Sequence, residues 1–312
     1  MTGQNGSVRV LERIWRPGRP IDVAGTLGVH RRGPGDPVHL IMPDGSVLRT
    51  CRTTEGAATV RVTARPAAGE IATQAWGAGA RCALDVLPRW LGADDDPTGF
   101  RPVHPVLARA HGRHVGLRIG RTGLVMEALV PAVLEQKVTG REAWQGWRRL
   151  LMRFGDPAPG PVPVGMRVFP EPARWAMVPS WEWHRAGVGP DRSRTIVRAA
   201  RLASRLEAVV DLTAGEADRR LRAVPGIGPW TAAEIRQRAL GDPDAVSLGD
   251  YHLPRLVAYA LAGEERADDA RMLELLEPYA GHRHRACLLL AHAAPMPPRR
   301  APRMPIRDYR AI

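Results

Sequence analysis

The residue best suited to bond-breaking chemistry in this 312-residue chain is an isolated carboxylate, Asp250, in the run Ser247-Leu248-Gly249-Asp250-Tyr251-His252. It lies 22 residues beyond the last glycine of Val224-Pro225-Gly226-Ile227-Gly228. In that turn Pro225 stops one helix, Gly226 and Gly228 permit backbone angles that a side chain obstructs, and Pro229 suits the first turn of the next helix. Two helices meeting this way present backbone N–H groups at a helix N-terminus, an anion site matched to a phosphodiester. Each half also has a plainer meaning. A P-G-x-G run makes an ordinary helix–helix turn, and an aspartate before a helical run serves as its N-cap. The tandem of turn, helix and acidic loop is what joins them into one candidate site.

The elements that must hold this site can be read on either side of it. Thr213-Ala214-Gly215-Glu216 matches a capping box, so a helix is expected from there to about Ala223. The second hairpin helix is expected to bury Ala232, Ile235 and Ala239. Upstream, helical periodicity predicts helices over 122–139, 141–154 and 191–207, with no further strand after Gly116. The first 64 residues are turn-rich and strand-like, with Ile21-Asp22-Val23, Val38–Ile41, Val47–Arg49 and Thr59–Thr63 as strands, and 77–91 reads as a helix with one buried face. The expected class is therefore α+β: a small N-terminal antiparallel β-sheet domain with a helix (1–104), then an all-α bundle (105–293) carrying the hairpin at 213–240. The remaining 294–312, rich in Pro and Arg, has too little apolar surface to order itself and reads as a flexible tail.

Composition narrows the partner. Lys+Arg of 45 against Asp+Glu of 32 gives a net charge of +13, which suits a phosphate-rich partner. Lys137 is the single lysine, a skew that a GC-rich genome explains without function, yet it bears on chemistry because a Schiff-base nucleophile needs an amine. Three separated cysteines cannot supply a four-cysteine iron-sulfur cluster and suit a reducing cytosol. No apolar run approaches the ~20 residues of a membrane span, and the amino terminus lacks a signal-peptide core. A cytoplasmic, nucleoid-associated protein that works as a monomer without a membrane partner is expected.

The tandem VPGIGPWTAAEI…SLGDYHLPRL resembles the helix-hairpin-helix DNA glycosylase superfamily, and within it the AlkA-type 3-methyladenine DNA glycosylases. LVPAVLEQKVTGREAWQGWRRLLMRFG is similar to that family's early helix pair, AGVGPDRSRTIVRAA to its later connecting helix, and the first 90 or so residues to its small sheet domain. The resemblance implies that Asp250 is the catalytic carboxylate, stabilising the positive charge that grows on the sugar as the base leaves and orienting the attacking water. The target base is flipped out of the stack and read in a pocket. Double-stranded DNA with damaged bases is the implied partner. The implied activity is hydrolytic removal of alkylated purines, of the 3-methyladenine and 7-methylguanine type, in base-excision repair. The alternative, from another class, is a catalytically silent helix-hairpin-helix protein that holds damaged DNA.

Trp230 matches the family's pocket tryptophan and stands where lyase relatives carry their Schiff-base lysine. An indole forms no imine, so a monofunctional enzyme without lyase activity is implied; the plainer reading of Trp230 is a core aromatic. Two positions depart from the family. Glu234 replaces an aromatic one turn after Trp230, and His284 replaces another tryptophan, so the pocket is expected to be more polar and to prefer neutral or larger adducts, with His284 stacking as the other reading. Trp181 and Trp183 are candidate substitute rings, with helix packing as their plainer role. Gly226, Ile227, Gly228 and Thr231 are the implied DNA contacts of the hairpin, and Gln136, Lys137 and Val138 those of a wedge loop opposite the flipped base. No cofactor is needed for the chemistry. The family also holds a monovalent cation (Na+ or K+) at the hairpin, which would fall to the backbone carbonyls of Arg222, Val224 and Ile227.

Overall fold

The computed structural model describes residues 9–293; the expected Pro/Arg-rich tail lies outside them. Five antiparallel strands, β1 (Leu11–Trp15), β2 (His39–Ile41), β3 (Val47–Thr53), β4 (Gly56–Arg65) and β5 (Glu70–Trp76), pair in the order β1-β5-β4-β3-β2. The run Ile21–Val23, expected as a strand, is instead the start of helix α1 (Val23–Gly28). The reason is local: the Asp22 carboxylate accepts the Gly25 N–H at 2.9 Å and so caps a helix where the apolar run alone argues for a strand. Strand β5 escapes sequence reading for the opposite reason. Its inward side chains include Thr73 and Ala75, both fully enclosed, so its alternation carries little hydrophobic contrast.

Helix α2 (Ala80–Trp90) lays Ala80, Ala83, Leu84 and Leu87 on one face of the sheet against Val47, Cys51, Val60 and Ala75. The other face is not left to solvent. Thr50 donates to the Arg167 carbonyl at 2.6 Å and Arg52 to the Phe169 carbonyl at 2.8 Å, which docks β3 on the helical part of the molecule.

That part contains α3 (Pro105–Arg113), α4 (Val125–Leu134), α5 (Gly140–Phe154), α6 (Pro172–Ala176), α7 (Ser180–Ala186), α8 (Pro190–Arg201), α9 (Ala203–Glu207), α10 (Ala214–Arg222), α11 (Pro229–Ile235), α12 (Leu253–Ala262), α13 (Asp269–Leu276) and α14 (Arg283–Ala293). The basic helix expected over 191–207 breaks at Leu202 into α8 and α9. A two-residue strand pair, β6 (Asp156–Pro157) with β7 (Arg167–Val168), also corrects the expectation of no strand after Gly116. It is too short to leave a periodic signal.

Two apolar cores divide these helices. One surrounds α4, which is apolar and buried apart from Glu127 on its sheet-facing side, and takes Trp147, Leu150, Ile196, Leu221, Ala232 and Ile235 from its neighbours. The other joins Phe100, Leu107 and Leu117 to Val257, Met272, Leu276 and Leu290, so the chain leaves the sheet, contributes α3, and returns to that core only with α12 to α14. The loop bearing Asp250 runs between the two cores. Among the described residues no helix is long and apolar enough to cross a membrane.

A buried ion pair ties the post-sheet loop to the last helix: Arg285 Nη1 meets Asp95 Oδ2 at 3.1 Å, with both side chains almost wholly enclosed, and Asp95 also accepts the Ile119 N–H at 3.2 Å. Removing one partner leaves an uncompensated buried charge. Asp95→Ala should therefore cost about 3–5 kcal/mol in denaturant unfolding, against a much smaller loss for a surface pair such as Arg194–Asp191.

Candidate active site

The hairpin forms as its sequence dictates. Thr213 and Glu216 make a reciprocal capping box that starts α10, and α11 starts at Pro229 after the glycine turn. Gly226 has φ +99°, and a Cβ there would lie 2.0 Å from Thr195 Oγ1, so the turn needs glycine for both conformation and space. Ala232, Ile235 and Ala239 are buried as expected. Ile227 anchors the turn: its side chain is buried and its N–H donates to the Val224 carbonyl at 3.0 Å. The outward carbonyls are tied back as well, Pro225 O to Arg198 Nη1 at 2.7 Å and Gly226 O to Gln136 Nε2 at 2.9 Å. First-turn amides of α11 lack intrahelical acceptors, which leaves them for a phosphate.

Gln136 reaches the same turn a second time, donating to Thr231 Oγ1 at 2.8 Å. The wedge-loop residues and the hairpin are thus one surface. Gln136 is its brace and Thr231, buried, is part of the joint, so neither presents a free side chain to DNA. Lys137 sits at the exposed tip with φ +55°, the one non-glycine residue with positive φ among those described, and Val138 beside it is half-buried. A lysine in the left-handed region is uncommon, and it marks the tip of the loop as a tight turn.

Asp250 is fully oriented. Its Oδ1 accepts the backbone N–H groups of His252 and Leu253, both at 2.8 Å, at the start of α12. Its Oδ2 accepts the indole N–H of Trp230 at 2.9 Å. The helix cap therefore uses one oxygen, and the contact with the hairpin helix uses the other. Trp230 is half-buried, not a core ring, and it bridges the hairpin helix to the acidic loop. The carboxylate keeps free lone pairs for a water or a charged sugar.

Below Trp230 the surroundings are polar. Glu234, one turn on, accepts Ser247 Oγ at 2.6 Å and Arg238 Nη1 at 2.7 Å, while Gln237 supports Ser247 at 2.9 Å. Arg238 also donates through Nε to the Val29 carbonyl at 3.1 Å, bringing the loop after α1 to the site. Sequence reasoning missed Ser247 and Arg238 as partners of Glu234, and Val29 as the acceptor of Arg238. Only the Glu234–Arg238 spacing of four carried any signal. His284, half-buried near this group, is held down to about 4 by burial first and by the Arg238 charge second, so its ring is uncharged at neutral pH.

The two candidate substitute rings lie elsewhere. Trp183 is a core residue, stacked on Trp175 at 5.8 Å between ring centres and donating to the Val178 carbonyl at 3.1 Å. With Val197, Arg198 and Leu202 it walls a cavity of about 510 Å³ between α7 and α8, which does not include Asp250. Trp181 is 62% exposed on α7. Their plainer role, packing and surface, is the one the structure gives them.

No protein-family profile matches the chain. Over 180 residues it is 35% identical to the probable bifunctional transcriptional activator/DNA repair enzyme AlkA of Mycobacterium tuberculosis, an alignment covering 55% of this chain and 35% of that protein. Over 202 residues it is 25% identical to the DNA-3-methyladenine glycosylase of Bacillus subtilis, covering 62% of this chain and 66% of that protein. The chain thus spans about a third of the first relative and just under two thirds of the second. The 3-methyladenine DNA glycosylase from Archaeoglobus fulgidus superposes with a TM-score of 0.72 at 19% identity, over 90% of this chain and 98% of that one. The Clostridium acetobutylicum 8-oxoguanine glycosylase/lyase bound to double-stranded DNA gives 0.70 at 12% identity, over 90% and 96%. At those identities the structural likeness speaks for the fold, and the sequence likeness runs to AlkA-type proteins. In sequence the chain is similar to AlkA and to a DNA-3-methyladenine glycosylase, and its fold is the one those solved DNA glycosylases share.

Proposed function

We propose that this chain is a monofunctional DNA glycosylase that hydrolyses the N-glycosidic bond of alkylated purines, the class that includes 3-methyladenine and 7-methylguanine. The observation that carries the reading is the Trp230–Asp250 hydrogen bond, which fixes a carboxylate directly beside the phosphate-binding turn. The hairpin amides grip the strand, Lys137 meets the duplex at the tip of the braced loop, and the target nucleotide swings out toward Asp250. As the C1′–N bond lengthens, the carboxylate faces the growing positive charge, and its position, prepaid by three hydrogen bonds, costs no reorganisation. Water then adds to C1′, losing its proton toward Asp250.

Trp230 occupies the position from which a lysine would attack, and an indole cannot form an imine, so the product is an intact strand with an abasic site. A monovalent cation would suit the hairpin carbonyls of Arg222, Val224 and Ile227. The Val224 oxygen already accepts the Ile227 N–H, which leaves its second lone pair for an ion. Such an ion would supply positive charge to a turn that binds phosphate.

A silent damage-binding protein would keep the same hairpin, and the two backbone bonds of Asp250 would then be its whole role. Asp250→Asn separates the two. It can still accept the amide bonds through its Oδ1 but gives up the Trp230 bond, because its amide nitrogen cannot accept the indole N–H; the two helical cores should keep the fold and DNA affinity, checked by melting and anisotropy, while single-turnover base release falls on the order of 10³-fold. Equal release by wild type and variant sinks the mechanism. Gly226→Ala tests the clamp: it should destabilise the chain by about 1–3 kcal/mol and weaken binding to duplex DNA of any sequence, measured by fluorescence anisotropy.

A further inference from the structure

We infer that the groove between α7 and α8 is a docking site for an acidic segment of another protein, one that carries a bulky apolar side chain among its carboxylates. The site lies apart from Asp250 and is independent of the glycosylase reading.

Floor and rim of the groove differ in character. The floor is apolar: Val178 and Trp183 on the α7 side meet Val197 and Leu202 on the α8 side around a volume of about 510 Å³. Trp183 is itself buried and spends its indole N–H on the Val178 carbonyl, so the floor offers contact area rather than hydrogen bonds. The rim is cationic. Arg194, Arg198 and Arg201 recur along α8 at spacings of four and three, which sets them in a row on one side of that floor. Among the described residues no carboxylate lines the groove. Arg194 is held at 2.6 Å by the exposed Asp191, and Arg198 gives one N–H to the Pro225 carbonyl at 2.7 Å. Arg201 is exposed and pairs with no described residue.

Apolar exposure continues next to the cavity. Met177 and Trp181, which bracket the groove-lining Val178 and Ser180 in the chain, are 80% and 62% exposed. Tryptophan, methionine and arginine are the side chains that protein interfaces concentrate, and an apolar patch rimmed by polar groups marks such an interface.

Charge decides what fits. A second copy brings a net charge of +13, and the chain's own residues 294–312 bring five arginines against one aspartate, so either sets cations against cations. Duplex DNA has the right sign, but it meets proteins through hydrated phosphates and has no apolar side chain to fill a floor of valine, leucine and tryptophan. An acidic peptide supplies both parts: carboxylates for the guanidiniums, in the paired geometry arginine favours, and an aliphatic or aromatic group for the floor. Because Arg198 also holds the Pro225 carbonyl, a partner docked there sits one side chain away from the hairpin turn.

The test selects a random peptide library displayed on phage against the immobilised full chain, with excess duplex DNA present to occupy the hairpin. Recovered peptides are then synthesised with a fluorophore and titrated by anisotropy. They should place aspartate or glutamate on both sides of a bulky apolar residue, and their binding should weaken as salt rises. Arg201→Gln and Trp181→Ala change exposed side chains, so both variants should melt like wild type, yet each should lower peptide affinity on the order of tenfold. Trp181→Ala removes no charge and should leave duplex DNA affinity unchanged. No enrichment, enrichment of peptides without acidic residues, or affinity unmoved by either variant overturns the inference. So does a thymidine oligonucleotide that displaces the peptide and itself depends on Trp181, since the groove would then take a nucleic-acid strand.

Discussion

The hydrogen bond from the Trp230 indole to Asp250 is the contact around which the rest of the molecule is arranged. Its donor belongs to the hairpin helix and its acceptor to the loop entering α12, so one 2.9 Å interaction ties a helix of one core to the approach of a helix of the other. Donor and acceptor are each set in place by their own contacts. The capping box of α10, the glycine turn packed on Thr195 and the Gln136 brace set the position of α11. The α12 amides and the Ser247–Glu234 bond set the loop.

The sheet has a supporting part in this arrangement. Its β3 strand docks on the helices through Thr50 and Arg52, and the loop after α1 meets Arg238 at the Val29 carbonyl. The same contact zone buries Glu127, which burial pushes up to about 7 despite Arg49 beside it. A folded-state pKa raised above the unfolded value of 4.5 means that this group favours folding at acid pH. Its contribution is lost as pH climbs through the interval between the two values. The sheet–helix junction is therefore a polar seam along the Glu127 side of α4, whereas the rest of that helix packs into an apolar core with Leu150, Ile196 and Leu221.

Much of this was legible in the sequence because it is local. Thr213 with Glu216, Pro225 with Gly226, and Pro229 each act within a few residues, and Asp250 stands alone in a loop of turn-forming residues. The resemblance to the glycosylases added the link between Asp250 and Trp230, which no spacing rule supplies. What escaped was tertiary or lacked contrast. Asp22 overrode an apolar run by capping, β5 hid its alternation behind Thr73 and Ala75, and Trp183 differs from Trp230 only in what surrounds it. The Ser247–Glu234–Arg238–Val29 chain links segments more than 200 residues apart, and Gln136 was legible as a surface residue of a loop but not as the brace of the hairpin.

Incubating wild-type protein with an alkylated duplex and analysing base and strand together should give free purine in solution, matched one for one by full-length strands that break only when treated with alkali. Strands cut without alkali, or bound DNA from which no base is ever freed, would contradict a monofunctional glycosylase.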